Sequence, residues 1–129
     1  MTPQHVLNWY AGWGLLLSAF VTGAVIGLFF HRDDFLGGYG SFSRRILRLG
    51  HIALAALGMI NVIFSYSPWP VEGTRDALAA SWGFVLGGVT MPAVCFLSAW
   101  RDGFRYLFFV PVTCLIAAAI ATLLGAQFM

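Results

Sequence analysis

Charged side chains are scarce in this chain. They make up 9% of its 129 residues, whereas 60% of the residues are hydrophobic. Lysine is absent, so all seven basic residues are arginine, and the charges fall only in segments 32–48, 72–76 and 101–105. A soluble domain or a disordered chain has far more polar surface than this. A net charge of +2 also gives no reason to expect nucleic acid as a partner.

Between these segments lie four runs without a charged side chain, over residues 1–31, 49–71, 77–100 and 106–129. A helix crosses a hydrocarbon core of ~30 Å with about 20 apolar residues, and in lipid a helix satisfies its own backbone hydrogen bonds. The sequence therefore predicts an all-α integral membrane protein with one domain over residues 1–129. Its four transmembrane helices are expected to form a bundle and to cover residues 8–30, 46–66, 79–100 and 106–127.

The arginines indicate how these helices are oriented. Six of the seven lie in or beside the first and third loops, at Arg32, Arg44, Arg45, Arg48, Arg101 and Arg105. The second loop has only Arg75, which Glu72 and Asp76 offset. Because cytoplasmic loops carry an excess of arginine and lysine, we expect both termini in the periplasm. The exclusive use of arginine indicates GC-rich coding, and with it a bacterial inner membrane.

Aromatic residues fit the same orientation. Tryptophan and tyrosine are enriched at the two membrane–water interfaces. The outer interface is expected to hold Trp9, Trp13, Trp69 and Trp82, and the inner one Trp100 and Tyr106.

Small residues recur at helical spacing on two of the helices. Ala19, Gly23 and Gly27 follow every four residues on the first helix, and Gly83 and Gly87 form a second GxxxG on the third. Such residues let helix backbones approach closely in lipid. The first pair belongs to the inner half of its span and the second pair to the outer half. We therefore predict that they do not pack on each other, and that they serve bundle packing or contact with a neighbouring subunit.

Ionisable groups are missing from the depth of every predicted span. Proton-coupled transporters and pumps normally need such a group inside the membrane. Cys95 and Cys114 are not spaced as CxxC, and both are expected to be free thiols. With no nucleophile–base pair apparent either, the sequence predicts no catalytic residue and no metal site.

The second helix carries a seam of polar and small residues, which comprises His51, Leu54, Ala55, Gly58, Asn61 and Ser65. One interpretation is contact between helices, in which each polar side chain adds ~0.6 kcal/mol by hydrogen bonding. A second is axial ligation of a b-type haem by His51 with His31, for which Ala55 and Gly58 leave room. A third is a channel or carrier path lined by Asn61, Ser65 and Thr90.

The first loop ends in three arginines, Arg44, Arg45 and Arg48, beside the predicted second helix. At the level of lipid phosphates each contributes about 1 kcal/mol toward an anionic membrane surface. We expect these side chains to contact lipid headgroups or an acidic partner subunit.

These patterns favour a small non-catalytic integral membrane subunit or accessory protein of a larger complex. By analogy with small helical subunits of electron-transfer complexes, we expect this chain to belong to a respiratory or photosynthetic electron-transfer assembly. Its expected partners are other integral membrane subunits and membrane lipids, and no cofactor is firmly implied. The alternatives are an electron carrier that binds haem b through His51 and His31, and a homo-oligomeric channel or small-solute carrier.

Overall fold

The computed structural model describes residues 2–68 and 70–126, and all regular structure within them is helical. The four long helices are α1 (Pro3–Phe29), α2 (Phe42–Ser65), α3 (Arg75–Trp100) and α4 (Phe109–Ala126). Short 3₁₀ segments cover Phe35–Gly37 and Asp102–Phe108. All four helices are long and apolar enough to cross a membrane, the fourth taken together with the 3₁₀ segment that precedes it. The predicted all-α class with four apolar helices is confirmed.

Helix starts follow polar capping residues. The hydroxyls of Thr2, Ser41 and Thr74 accept hydrogen bonds from backbone N–H groups three residues later, over 3.5, 3.2 and 3.1 Å. A side-chain acceptor at this position satisfies an N–H group that the helix itself leaves free. The first three helices therefore begin four or five residues before the predicted starts, which had followed the apolar runs. The fourth begins later than predicted, because a 3₁₀ segment occupies its first turn.

The helices form an uneven bundle. α2 packs on both α1 and α3, whereas α4 packs chiefly on α3, and α1 meets α3 along only part of its length. In the most apolar stretch of each helix, the share of buried residues is 33% for α2 and 39% for α3. It is only 17% for α1 and for α4, the latter taken with its preceding 3₁₀ segment. We call the end that holds Thr2 and Ala126 the terminal end, and the end that holds segments 30–41 and 101–108 the arginine end.

Glycines mark the closest helix crossings. A Cβ atom built on Gly12 would lie 2.8 Å from the carbonyl oxygen of Gly58, and one built on Gly58 would lie 3.0 Å from that of Gly12. On α3, a Cβ on Gly83 would lie 2.9 Å from the Cys114 carbonyl oxygen. These contacts bring α1 against α2 and α3 against α4 at backbone distance, as small residues allow.

The two predicted glycine pairs face different elements. Gly83 and Gly87 both pack on α4. On α1, Ala19 is buried beside Leu54, and Gly23 packs against the ring of His51. A Cβ on Gly27 would meet nothing within 4 Å. The second glycine of the α1 pair is therefore left open on the surface.

Exposed aromatic side chains lie near both ends. Trp13 and Trp82 are exposed toward the terminal end, and Trp100 and Tyr106 at the arginine end. Trp9 is half-buried, and its indole N–H donates to the Tyr66 hydroxyl over 3.3 Å. Trp69, predicted for the same belt, lies outside the described residues. Cys95 and Cys114 are free thiols.

Candidate functional site

A buried polar network joins three helices toward the terminal end. Asn8, Asn61 and Ser81 are completely buried, and they come from α1, α2 and α3. The Asn8 amide nitrogen donates to the Asn61 amide oxygen over 2.8 Å and to the Ser81 carbonyl oxygen over 3.3 Å. The Ser81 hydroxyl donates to the Asn8 amide oxygen. The Asn61 amide nitrogen donates to the carbonyl oxygens of Leu57 and Phe84, over 2.9 and 3.1 Å.

Both asparagine side chains are satisfied within the chain, since each amide nitrogen donates a hydrogen bond and each amide oxygen accepts one. Loss of one partner leaves buried groups unpaired, at a cost of about 1–3 kcal/mol. The sequence interpretation of Asn61 as a contact between helices describes this geometry. Sequence reasoning missed Asn8 and Ser81, although Asn8 stands seven residues before the buried Leu15 and so shares its helix face.

His51 lies against α1 at mid-helix. Its Nδ1 is 3.2 Å from the Thr22 hydroxyl oxygen, and the ring is half-buried on Gly23. His31 follows eight residues after Gly23, in an exposed turn beyond α1. From Gly23 to the end of α1 at Phe29 the helix rises about 9 Å, and His31 follows beyond that end. His51 is more than two turns inside α2, which begins at Phe42.

The space beside Gly58 that we expected to accommodate the haem macrocycle is occupied by α1. Gly58 lies at the closest crossing with α1, where a Cβ would already lie 3.0 Å from the Leu16 side chain. The small residues of this seam serve close helix packing. Ser65 and Thr90, named for a solute path, donate to the carbonyl oxygens of Val62 and Leu86, each over 2.6 Å.

At the arginine end, Arg44 turns inward. Its side chain is 3% exposed, and its guanidinium donates to the carbonyl oxygens of Phe30 and Arg32, the latter over 3.2 Å. Phe30 is the C-cap residue of α1, where carbonyl oxygens and the negative end of the helix dipole attract a cation. The guanidinium carbon also lies 4.4 Å from the centre of the Phe30 ring. Arg44 therefore forms a clasp between α2 and α1 through its two terminal nitrogens, and its expected lipid or partner contact stays a prediction.

Arg45 and Arg48 differ from Arg44. Arg45 is exposed, and the half-buried Arg48 places its guanidinium carbon 4.7 Å from the Tyr39 ring centre. Neither arginine has a carboxylate within 4 Å among the residues the structure describes. Both retain the charge needed for an anionic contact.

An apolar groove runs between α1 and α3. Its middle cavity, of about 520 Å³, is lined by Gly14, Ser18, Leu54, Val89, Pro92 and neighbours. Its arginine-end cavity, of about 470 Å³, is lined by Val25, Phe29, Phe35, Leu47, Trp100 and neighbours. The cavities adjoin, since Thr22 and Phe96 line both. The hydroxyls of Ser18 and Thr22 donate to carbonyl oxygens of their own helix over 2.9 and 2.7 Å, which leaves the groove apolar.

Within residues 2–68 and 70–126, no three His, Cys, Asp or Glu side chains come together as a metal site. Comparison of the chain with models of known families, with characterised proteins and with solved structures gives no match. Function is therefore inferred from the geometry of the helices, the groove and the arginine end.

Proposed function

We propose that this chain is a small non-catalytic subunit of a larger complex in the bacterial inner membrane. Four candidate membrane-spanning helices support a multi-pass membrane protein. Six of the seven arginines belong to the arginine end and its flanking turns, whereas the terminal end has Arg75 offset by Glu72 and Asp76. The positive-inside rule then favours an arginine end in the cytoplasm and both termini in the periplasm.

An open face of α1 is the single observation that carries the subunit role. This face, which we call the open α1 face, consists of Trp13, Phe20, Ala24 and Gly27. All four are exposed, and a Cβ on Gly27 would meet nothing within 4 Å. In lipid, apolar surface alone gives helices no drive to associate, but small residues let a neighbouring helix approach closely. The face fits a helix of another subunit.

The polar groups of the helices support the same role. The buried amides of Asn8 and Asn61 are used in binding the chain's own helices. A subunit that holds its neighbours in register needs such a rigid scaffold and no reactive group of its own. We propose an electron-transfer assembly, respiratory or photosynthetic, by analogy with the class of small helical subunits found there.

Purification of the tagged chain from its native membranes in mild detergent tests the subunit role. We expect at least one other integral membrane protein to co-purify in fixed ratio, with the visible absorption of that partner's redox cofactors. Gly27→Leu should reduce this recovery, because the larger side chain blocks close approach on the open α1 face. Gly14→Leu is the matched control, since a Cβ there also meets nothing within 4 Å and Gly14 lies on another face. Recovery of a lone 14.1 kDa chain contradicts the proposal.

A haem-binding carrier is the second candidate. The Thr22 hydroxyl at Nδ1 orients the His51 ring, as partners of metal-bound histidines do, and Nε2 is then the nitrogen that would bind a metal. Because His31 follows beyond the end of α1, a second ligand would come from another chain. A Soret band that disappears in His51→Ala supports this candidate, and a spectrum without one contradicts it. The channel alternative predicts solute flux in liposomes above the lipid background.

A further inference from the structure

Two arginines flank one aromatic ring at the arginine end. The guanidinium carbons of Arg44 and Arg48 lie 5.4 and 4.7 Å from the centre of the Tyr39 ring. The two residues are four apart on α2, a spacing at which like charges repel. Neither has a carboxylate within 4 Å in the described part of the chain. An anion placed between them would relieve this repulsion.

Arg44 also has an unused donor. Its Nε is buried and lacks a hydrogen-bond acceptor among the described residues, although its two terminal nitrogens bind the end of α1. A buried donor on a charged group without an acceptor is costly, and in native proteins such groups usually have a partner. An acceptor for the Arg44 Nε would therefore have to come from outside the described residues.

The arginine pair and the arginine-end cavity are connected through chain neighbours and ring contacts. Leu47 lines that cavity, and Arg48 is the next residue along α2. On the other side, Arg44 packs on Phe30, whose ring lies 5.9 Å from the ring of Phe35 in the cavity wall. The positively charged pair and the apolar cavity thus belong to the same end of the bundle.

We propose that the arginine end binds one anionic phospholipid, with its phosphate against Arg48 and Arg44 beside Tyr39 and an acyl chain in the arginine-end cavity. This inference rests on the proposed membrane location, and it adds a specific ligand to it. Charge complementarity selects the headgroup, since basic pockets between membrane helices bind anionic lipids. The apolar cavity selects a ligand with a hydrocarbon chain, which a free phosphate lacks.

Native mass spectrometry of the full chain in detergent tests the headgroup. Titration with phosphatidylglycerol is expected to give a one-to-one adduct, and phosphatidylcholine with the same acyl chains a weaker one. Arg48→Gln should lower the affinity for phosphatidylglycerol about fivefold, which corresponds to about 1 kcal/mol per arginine. Arg45→Gln, which removes the same charge at an exposed neighbouring position, should lower the affinity less than Arg48→Gln does.

A second pair of variants tests the acyl-chain site. Val25 lines the arginine-end cavity, so Val25→Trp should fill it and weaken phosphatidylglycerol binding without any change of charge. Ile120→Trp places the same ring on an exposed position of α4 and should bind lipid as the parent chain does. The melting temperatures of both variants check that the fold is retained.

Four outcomes overturn the inference. They are equal binding of phosphatidylcholine, an equal loss in Arg45→Gln and Arg48→Gln, undiminished binding by Val25→Trp, and displacement of the lipid by inorganic phosphate. The last would assign the site to a free anion. Since these measurements use the isolated chain, their failure leaves the subunit proposal intact. Absence of co-purifying subunits leaves the lipid site intact.

Discussion

Asn8 of α1 donates a hydrogen bond to Asn61 of α2 over 2.8 Å, and both side chains are completely buried. The two residues are 53 positions apart in the chain. Ser81 of α3 completes the contact from a third helix. This small polar centre fixes the relative register of α1, α2 and α3, since a shift of one helix would leave buried amide groups without partners.

Replacement of Asn61 by leucine should destabilise the fold. The substitution leaves the Asn8 amide without its acceptor in an apolar interior, and we expect a loss of about 1–3 kcal/mol in the free energy of unfolding. Unfolding in mixed detergent micelles measures this loss. In a double-mutant cycle with Asn8→Leu, the coupling should reach ~0.6–1.7 kcal/mol. Ser18→Ala is the control, and additive effects of the two asparagine changes would contradict the direct contact.

A larger residue at Gly58 should separate α1 from α2. A Cβ there would already lie 3.0 Å from the Gly12 carbonyl oxygen, so Gly58→Val forces the backbones apart. Overpacking of this kind costs about 1–3 kcal/mol of stability. Gly27→Ala, on the open α1 face, should instead stabilise the helix by up to about 1 kcal/mol, because alanine favours helix over glycine. Equal thermal stability of Gly58→Val and the parent chain would refute the close crossing.

Loss of the Arg44 side chain should loosen the arginine end. Arg44→Gln removes the donors to the Phe30 and Arg32 carbonyls, and we expect a cost of about 1.5–3 kcal/mol for hydrogen bonds that involve a charged group. Hydrogen–deuterium exchange over residues 30–41 should rise in this variant. Arg45→Gln should leave the exchange of the same segment unchanged, since Arg45 is exposed. A rise of the same size in both variants would contradict the clasp.

Leu36 holds a strained backbone conformation. Its φ of 53° and ψ of 36° lie in the left-handed region, which costs a non-glycine residue roughly 1–2 kcal/mol. Leu36→Gly relieves this strain and should preserve or raise the melting temperature. Leu49→Gly removes an equally large exposed side chain from within α2 and should lower stability by about 1 kcal/mol. A lower melting temperature for Leu36→Gly than for Leu49→Gly would show that the strain is not the dominant effect.

The four apolar helices follow from the sequence with little ambiguity. Long runs without charge leave the backbone no partner in lipid except its own helix. Asn61 was interpreted as a polar contact between helices, because residue type and spacing alone indicate that role. The first three helices begin four or five residues earlier than predicted, because a capping hydroxyl such as that of Ser41 extends a helix beyond the apolar run.

Tertiary structure alone decided which residues meet. The sequence paired His31 with His51 as haem ligands, but the packing of α1 on α2 places the His51 ring against Gly23, eight residues before His31. Similarly, the charge of Arg44 indicated a membrane surface, whereas its buried guanidinium donates to the carbonyl oxygens of Phe30 and Arg32. Hydropathy reflects the free energy of transferring each residue from water to an apolar medium, so it can be assigned from the sequence residue by residue. Register and side-chain direction depend on contacts between residues far apart in the chain, and these exist only once the helices have packed.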